Sequence, residues 1–131
     1  MSGFTFDSNI IIDAQLDLEP ALVELERAAR GGEPLWVSRM VWVEVLSKGS
    51  PESVESAQAY LSRFSTDELD ETIAARAAAL RRERPRLKSP DAIILATAQI
   101  RGRTLVTRNT RDFPATMPGI RIPYTLPKVA D

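Results

Sequence analysis

The sequence contains no cysteine and no histidine among its 131 residues. The absence of cysteine excludes disulfides, thiol nucleophiles and thiolate metal sites. The absence of histidine excludes imidazole metal ligands, a Ser-His-Asp triad and a histidine general base. If the protein is an enzyme, its chemistry must therefore rest on carboxylates, together with a hard metal ion that prefers oxygen ligands.

Long apolar runs are missing too, and no stretch approaches the roughly 18–20 residues of a membrane span. The N-terminus lacks a basic region followed by an apolar core, so no secretory signal is visible. The length of 131 residues and the 44% hydrophobic content indicate one domain with a real core. We expect a single domain over residues 1–131 and a cytoplasmic location.

Charge is distributed unevenly, although the formal net charge is only −1. Residues 1–75 hold 5 basic and 14 acidic side chains, whereas residues 76–111 hold 10 basic and 2 acidic ones. Nine of those ten basic residues are arginine, whose planar fork suits phosphate groups. A solvated helix face with loops would also explain the run, since charge runs are usually solvated. The acids that lie within or beside it favour a phosphate-binding role.

Short apolar strands alternate with helices, which predicts an α/β fold with a parallel sheet covered on both faces. The predicted strands are residues 4–7, 35–37 and 104–107, with a possible short one at 121–124. The predicted helices are residues 9–13, 19–30, 39–48, 50 to about 64, 71 to about 84, and 89 to about 101. Expected N-caps include Ser8, Ser38, Asp70 and Ser89, while residues 65–68 have only a weak capping-box pattern.

Four acidic residues lie at the end of apolar stretches or inside them: Asp7, Glu44, Asp91 and Asp112. A carboxylate near a core suffers a large desolvation cost unless something positive compensates it. In open α/β sheets, ligands bind outside the carboxyl ends of the strands, and all four acids are expected near that edge. Simpler roles stay open for each, namely helix capping, an ion pair of Glu44 with Arg39, a helix-dipole contact and a turn.

Several converging carboxylates cannot all stay ionised without a cation. With no imidazole or thiolate available, that cation is a hard metal ion or an arginine or lysine side chain. Mg²⁺ or Mn²⁺ fits an all-carboxylate site, and one or two such ions can activate water and clamp the oxygens of a phosphodiester. Arginines nearby would hold the substrate phosphates. The pattern favours metal-dependent hydrolysis of a nucleic acid.

Four segments, taken in order, resemble the PIN domain and, more narrowly, the VapC-type toxins of prokaryotic toxin–antitoxin pairs. They are Phe6-Asp7-Ser8-Asn9, the stretch from Ser38 to Glu44, Pro90-Asp91-Ala92 with the apolar residues that follow, and Leu105-Val106-Thr107 through to Asp112-Phe113. The likeness covers nearly the whole chain. The ordered set carries it, since no single motif is specific.

The resemblance implies a PIN fold, with a central parallel sheet flanked by helices in three α/β/α layers. It also implies Mg²⁺- or Mn²⁺-dependent ribonuclease activity that leaves a 5′-phosphate and a 3′-hydroxyl. Asp7, Glu44, Asp91 and Asp112 would then be the catalytic and metal-binding acids. Many members have an acid where this chain has Asn109, and others rely on the acid before Phe, here Asp112.

The resemblance assigns supporting roles to polar residues near these acids, namely Asn9, Thr107 and Asn109, although the first two could simply satisfy local backbone groups. Six basic residues are candidates for RNA phosphate contact: Arg82, Arg84, Arg86, Lys88, Arg108 and Arg111. The family further implies a homodimer and inhibition by a small VapB-like antitoxin. Two other functions stay open, a catalytically weak RNA- or protein-binding module, which Asn109 would fit, and a DNA nuclease with the same metal chemistry.

Overall fold

The computed structural model describes residues 3–127, in which a central parallel sheet is flanked by helices in three layers. The strands are β1 (Phe4–Phe6), β2 (Leu35–Ser38), β3 (Ser65–Asp67), β4 (Thr104–Val106) and β5 (Ile120–Arg121). Their order across the sheet is β3-β2-β1-β4-β5, and each neighbouring pair is parallel. The predicted α/β class and parallel sheet are confirmed.

Helices form the connections between most of these strands. They are α1 (Ser8–Gln15), α2 (Glu19–Ala29), α3 (Arg39–Leu46), α4 (Pro51–Leu61), α5 (Glu71–Glu83) and α6 (Ser89–Arg101). Every predicted helix is present, with ends that differ by up to about three residues. Over residues 3–127, none of the helices combines the length and the apolar character needed to cross a membrane.

Side-chain capping explains where several helices begin. Ser38, Ser50 and Asp70 each accept a hydrogen bond from a backbone N–H in the first turn of α3, α4 and α5. The start of α6 was predicted one residue too late, because its N-cap is Lys88 and Ser89 is already helical. Gly102 ends α6 in the left-handed conformation, with φ 66°, which glycine adopts without steric cost.

Strand β3 was not predicted, because all three of its residues are polar. It pairs with β2 at the sheet edge, and its Asp67 is buried. Arg103 makes that burial possible, since its Nη1 lies 2.5 Å from Asp67 Oδ2 and its guanidinium stacks on Trp36 at 3.8 Å. The last strand was predicted over residues 121–124 but forms at Ile120–Arg121.

The core lies on both sides of the sheet. Phe6, Val37, Leu105 and Val106 are fully buried in the central strands, and the helices add buried aliphatic residues such as Ile94. Fully burying a side chain of this size contributes about 1.5–3 kcal/mol relative to exposure. This packing holds the strands rigidly, so the residues that follow them have defined positions.

A buried ion-pair cluster attaches the edge strand β5 to helix α2. Glu24 is 4% exposed and accepts paired hydrogen bonds from Arg121 at 2.8 and 2.9 Å and from Arg27 at 2.8 and 3.0 Å. Burial would raise the pKa of Glu24, but the hydrogen bonds and charges of the two arginines outweigh it and hold the pKa at about 2.

Replacing Glu24 by Gln should lower the free energy of unfolding at pH 7 by about 1–3 kcal/mol. The full pKa difference would give more, but Arg27 and Arg121 are 40% and 39% exposed, so solvent screens the pairs. Because the folded pKa is depressed, this contribution is present above about pH 4.5 and disappears as the pH falls towards 2. Urea unfolding between pH 7 and pH 3 measures it, and a gap that stays constant with pH would contradict the assignment.

Candidate active site

The carboxyl ends of the parallel strands meet at one edge of the sheet. Asp7 follows β1 and Thr107 follows β4, and the Asp7 N–H donates to the Val106 carbonyl at 2.9 Å. Ser38 ends β2 and caps α3, which carries Glu44. The strand order therefore brings residues distant in sequence to one edge, as the sheet geometry predicts.

The Asp7 carboxylate is 3% exposed and accepts hydrogen bonds at both oxygens. Oδ1 accepts from the Ser8 N–H at 2.8 Å, which caps α1, and Oδ2 accepts from Thr107 Oγ1 at 2.7 Å and Asn9 Nδ2 at 3.4 Å. Burial raises the pKa of Asp7, the Thr107 and Ser8 hydrogen bonds oppose that rise, and Glu44 adds to it. Asp7, and not Ser8, is the N-cap of α1, yet it is also a buried acid beside Glu44.

Glu44 is half-buried and is oriented by Ser8. The Ser8 hydroxyl donates to Glu44 Oε1 at 2.8 Å and lies 3.4 Å from Asp7 Oδ1, so one hydroxyl joins the two carboxylates. The alternative of an ion pair with Arg39 is wrong, because Arg39 binds Glu68 at 2.6 Å. Ser8 had been considered only as a helix cap, although its place directly after Asp7 was the available signal.

Asp91 lies in the first turn of α6 and is partly buried. Its pKa is raised to about 6, first by burial and then by the negative charges of Asp7, Asp112 and Glu44, while Lys88 opposes the rise. All four predicted acids therefore act on one another electrostatically, although they come from four separate segments of the chain.

Asp112 is held by Asn109, so both residues discussed for the fourth acid position contribute. Asn109 Nδ2 donates to Asp112 Oδ2 at 3.0 Å, and the Asp112 N–H donates back to Asn109 Oδ1 at 3.2 Å. The Asn109 N–H donates to Thr107 Oγ1 at 3.0 Å, and Asn9 Nδ2 donates to the same oxygen at 3.2 Å. These polar residues bind each other and the acids, and not only local backbone groups.

The other buried acids of the protein have arginine partners, and the four site acids do not. Glu24, Asp67 and Asp13 are each 4–5% exposed and each form ion pairs with arginine. Within residues 3–127, no ion pair involves any of the four acids at the sheet edge. This contrast separates acids that stabilise the fold from acids whose charge is left uncompensated.

The donor chemistry of this edge fits a hard divalent cation. The acids supply carboxylate oxygens, their mutual repulsion raises the pKa of Asp91, and a cation would relieve both the repulsion and the burial cost. Among residues 3–127, no three acids already stand in a metal-coordinating arrangement. The fit is therefore one of chemistry and proximity, and coordination would require small side-chain movements.

A basic cleft opens beside Asp112. Its volume is about 630 Å³, and it is lined by Arg84, Pro85, Arg86, Leu87, Lys88, Arg111 and Asp112. Four of the six predicted phosphate-binding residues therefore come together. Arg82 is not among the lining residues, and Arg108 is committed to an ion pair with Asp13.

Asp13 was not predicted, and it forms a buried junction behind the site. It accepts from Arg108 Nε at 2.6 Å, Arg108 Nη2 at 3.1 Å and the Tyr124 hydroxyl at 2.8 Å. Burial and the contact with Asp13 raise the pKa of Tyr124. The Arg108 N–H also donates to Asn9 Oδ1 at 3.3 Å, so the junction fixes the start of the turn that carries Asp112. The signal was available, since Asp13 follows three isoleucines as Glu44 follows apolar residues.

Replacing Asp13 by Asn should destabilise the protein by about 2–3 kcal/mol, because it leaves the Arg108 charge without its partner. The Tyr124→Phe variant removes one neutral donor and should cost only about 1 kcal/mol. Urea denaturation at pH 7 compares the two variants with the parent protein. Equal losses for both would show that the ion pair is not the main contribution.

Replacing Asp91 by Asn should raise the free energy of unfolding of the metal-free protein at pH 7 by about 1–2 kcal/mol. The folded pKa lies above the unfolded value of 3.8, so this group disfavours folding increasingly as the pH rises from about 4 through about 6. The gain should therefore vanish near pH 4. The exposed Asp17→Asn variant is the control, and an Asp91→Asn protein no more stable than the parent at pH 7 would contradict the coupling.

Comparison with known proteins places these features in a family. The profile described as PIN domain matches residues 4–116. A solved toxin–antitoxin complex from Klebsiella pneumoniae contains a chain that is 37% identical, with a TM-score of 0.80, over 95% of this chain and 100% of that one. A search of curated protein sequences found no match.

Two more distant structures share the fold. VapBC2 from Rickettsia felis, bound to a promoter DNA fragment, matches with a TM-score of 0.74 and 23% identity, over 89% of this chain and 94% of that one. FitAcB from Neisseria gonorrhoeae matches with a TM-score of 0.74 and 21% identity, over 94% and 99%. The chain therefore belongs to the PIN-domain family, and its match to these structures is the one expected of a VapC-type toxin.

Proposed function

We propose that this protein is a metal-dependent endoribonuclease and the toxin of a toxin–antitoxin pair. The observation that carries the proposal is the set of four acids at one sheet edge, without arginine partners, beside a cleft lined by four basic residues. Acids in such a place destabilise the folded state, so their clustering is better explained by a ligand than by folding.

Asp7, Glu44, Asp91 and Asp112 are the residues that would hold Mg²⁺ or Mn²⁺. When bound, such an ion supplies an activated water and stabilises negative charge on the phosphodiester oxygens. The chain's own polar residues keep the acids oriented. Thr107 and Asn9 direct hydrogen bonds at Asp7 Oδ2, Ser8 orients Glu44, and Asn109 orients Asp112.

Glu44 is the acid that we assign to the attacking water. It is only half-buried, lies on α3 and receives a single side-chain hydrogen bond, from Ser8, so one of its oxygens remains available to accept a proton. Asp7, by contrast, already accepts at both oxygens and is nearly inaccessible. The two carboxylates are therefore suited to different tasks, proton acceptance for Glu44 and fixed charge for Asp7.

The partner and substrate follow from the family likeness. The chain from Klebsiella pneumoniae belongs to a toxin–antitoxin complex, and we propose a VapB-like antitoxin for this protein as well. We further propose RNA as the substrate, with products carrying a 5′-phosphate and a 3′-hydroxyl, and a homodimeric assembly. Arg84, Arg86, Lys88 and Arg111 are the side chains best placed to meet the phosphates of the strand.

The Asp7→Asn variant should lose cleavage of RNA by at least about 100-fold while keeping its fold, because Asn preserves the Ser8 and Thr107 contacts but removes the charge. Purified protein without antitoxin would be incubated with total RNA and Mn²⁺, and new 5′ ends sequenced. Asp17→Asn, a matched change at an exposed acid, should retain full activity.

Three outcomes would decide against parts of this proposal. A fully active Asp7→Asn protein would refute the role of that acid. Parent protein that cleaves no RNA with Mn²⁺ and shows no Mn²⁺ uptake by calorimetry would favour the binding-module alternative. Cleavage of single-stranded DNA in place of RNA would identify the DNA nuclease.

A further inference from the structure

The segment between α5 and α6 is a rigid wall of the basic cleft. Pro85 cannot continue the preceding helix, and Leu87 is 2% exposed, which anchors the segment in the core. The Arg81 Nε donates to the Leu87 carbonyl at 2.9 Å, and the Leu87 N–H donates to the Arg84 carbonyl at 2.9 Å. The basic side chains on either side of Leu87 are therefore presented from a fixed backbone.

Arg84 joins this wall to the turn that carries Asp112. Its Nη2 donates to the Asp112 backbone carbonyl across the cleft. Its Nη1 is buried and has no hydrogen-bond partner within residues 3–127. A buried guanidinium donor without an acceptor is costly, and such groups are rare in folded proteins. The arginine fork matches two oxygens of a phosphate, so the vacant donor indicates an anionic ligand.

Charge in the cleft agrees with that ligand. Arg84, Arg86, Lys88 and Arg111 line it against one carboxylate, Asp112. None of these four takes part in an ion pair in the described part of the chain, whereas Arg101, Arg103 and Arg108 of the same basic region all do. The positive charge left uncompensated by the fold is thus concentrated in this cleft.

We propose that the cleft is a subsite for an internal phosphate of a single-stranded nucleic acid, next to the phosphate that lies at the acids. Asp112 faces both places, since it lines the cleft and also raises the pKa of Asp91. Arg84, Arg86, Lys88 and Arg111 hold this neighbouring phosphate, and Arg84 ties it to the Asp112 turn. The inference rests on the proposed function only for its choice of a nucleic-acid strand.

Binding can be measured without cleavage. A fluorescein-labelled single-stranded RNA of mixed sequence, with a 5′-hydroxyl, is titrated by anisotropy in EDTA over a range of salt concentrations. Arg86→Gln and Arg111→Gln, both exposed side chains, should each weaken binding about five- to tenfold and reduce the salt slope by about 0.7, the value for one phosphate contact on a single strand. Arg84→Gln should lose at least as much.

Arg63→Gln is the matched control, since it removes one exposed positive charge far from the cleft lining and should leave affinity and salt slope unchanged. Equal effects of the control and the cleft variants, or no effect of Arg86→Gln and Arg111→Gln, would overturn the subsite. Competition by a nucleoside 5′-monophosphate as strong as that of the oligonucleotide would overturn its assignment to an internal phosphate. Comparable binding of single-stranded DNA would support a backbone contact.

The cleavage assay separates this inference from the proposed function. Protein that binds RNA through Arg86 and Arg111 but never cleaves it would retain the subsite and reject the nuclease. Protein that cleaves RNA with unchanged KM in both variants would retain the nuclease and reject the subsite. For a working enzyme, the two variants should raise KM and leave kcat within about twofold, because they act on binding away from the reacting bond.

Discussion

The Asp7 carboxylate is the point at which fold and site depend on the same group. Its backbone joins β1 to β4, its Oδ1 caps α1, and its Oδ2 receives Thr107. These contacts hold a charge in a place where burial raises its pKa. The carboxylate stays there because the strand, the helix and the neighbouring strand all fix it, and the energetic cost is spread over the whole sheet edge.

The treatment of acidic side chains divides the molecule into two kinds of region. Away from the sheet edge, each buried acid is matched by arginine, as Glu24, Asp67 and Asp13 show. At the edge, hydrogen-bonding neutral groups replace arginine, and these orient a carboxylate without neutralising it. Such an arrangement leaves room for a cation from solution, which an internal arginine would exclude.

The basic region divides in a similar way. Much of its positive charge compensates acids from the first half of the chain, so the local balance of charge along the sequence overstates the charge available for binding. Arg103 and Arg108, for example, are held by Asp67 and Asp13. What remains is concentrated around residues 84–88 and Arg111, beside the acids. The simple explanation of a solvated charge run therefore holds for neither group.

The sequence by itself determined the α/β class, the helices, and which acids were unusual, because hydrophobic periodicity, capping residues and acids inside apolar runs are local signals. It did not reveal β3, whose polar residues are stable as a strand only through Arg103 and Trp36. It also could not separate Arg108 from Arg111, or recognise Ser8 as the link between two carboxylates. Those roles depend on which side chains meet across the sheet edge, and contacts between residues about 100 positions apart are decided only by the tertiary structure.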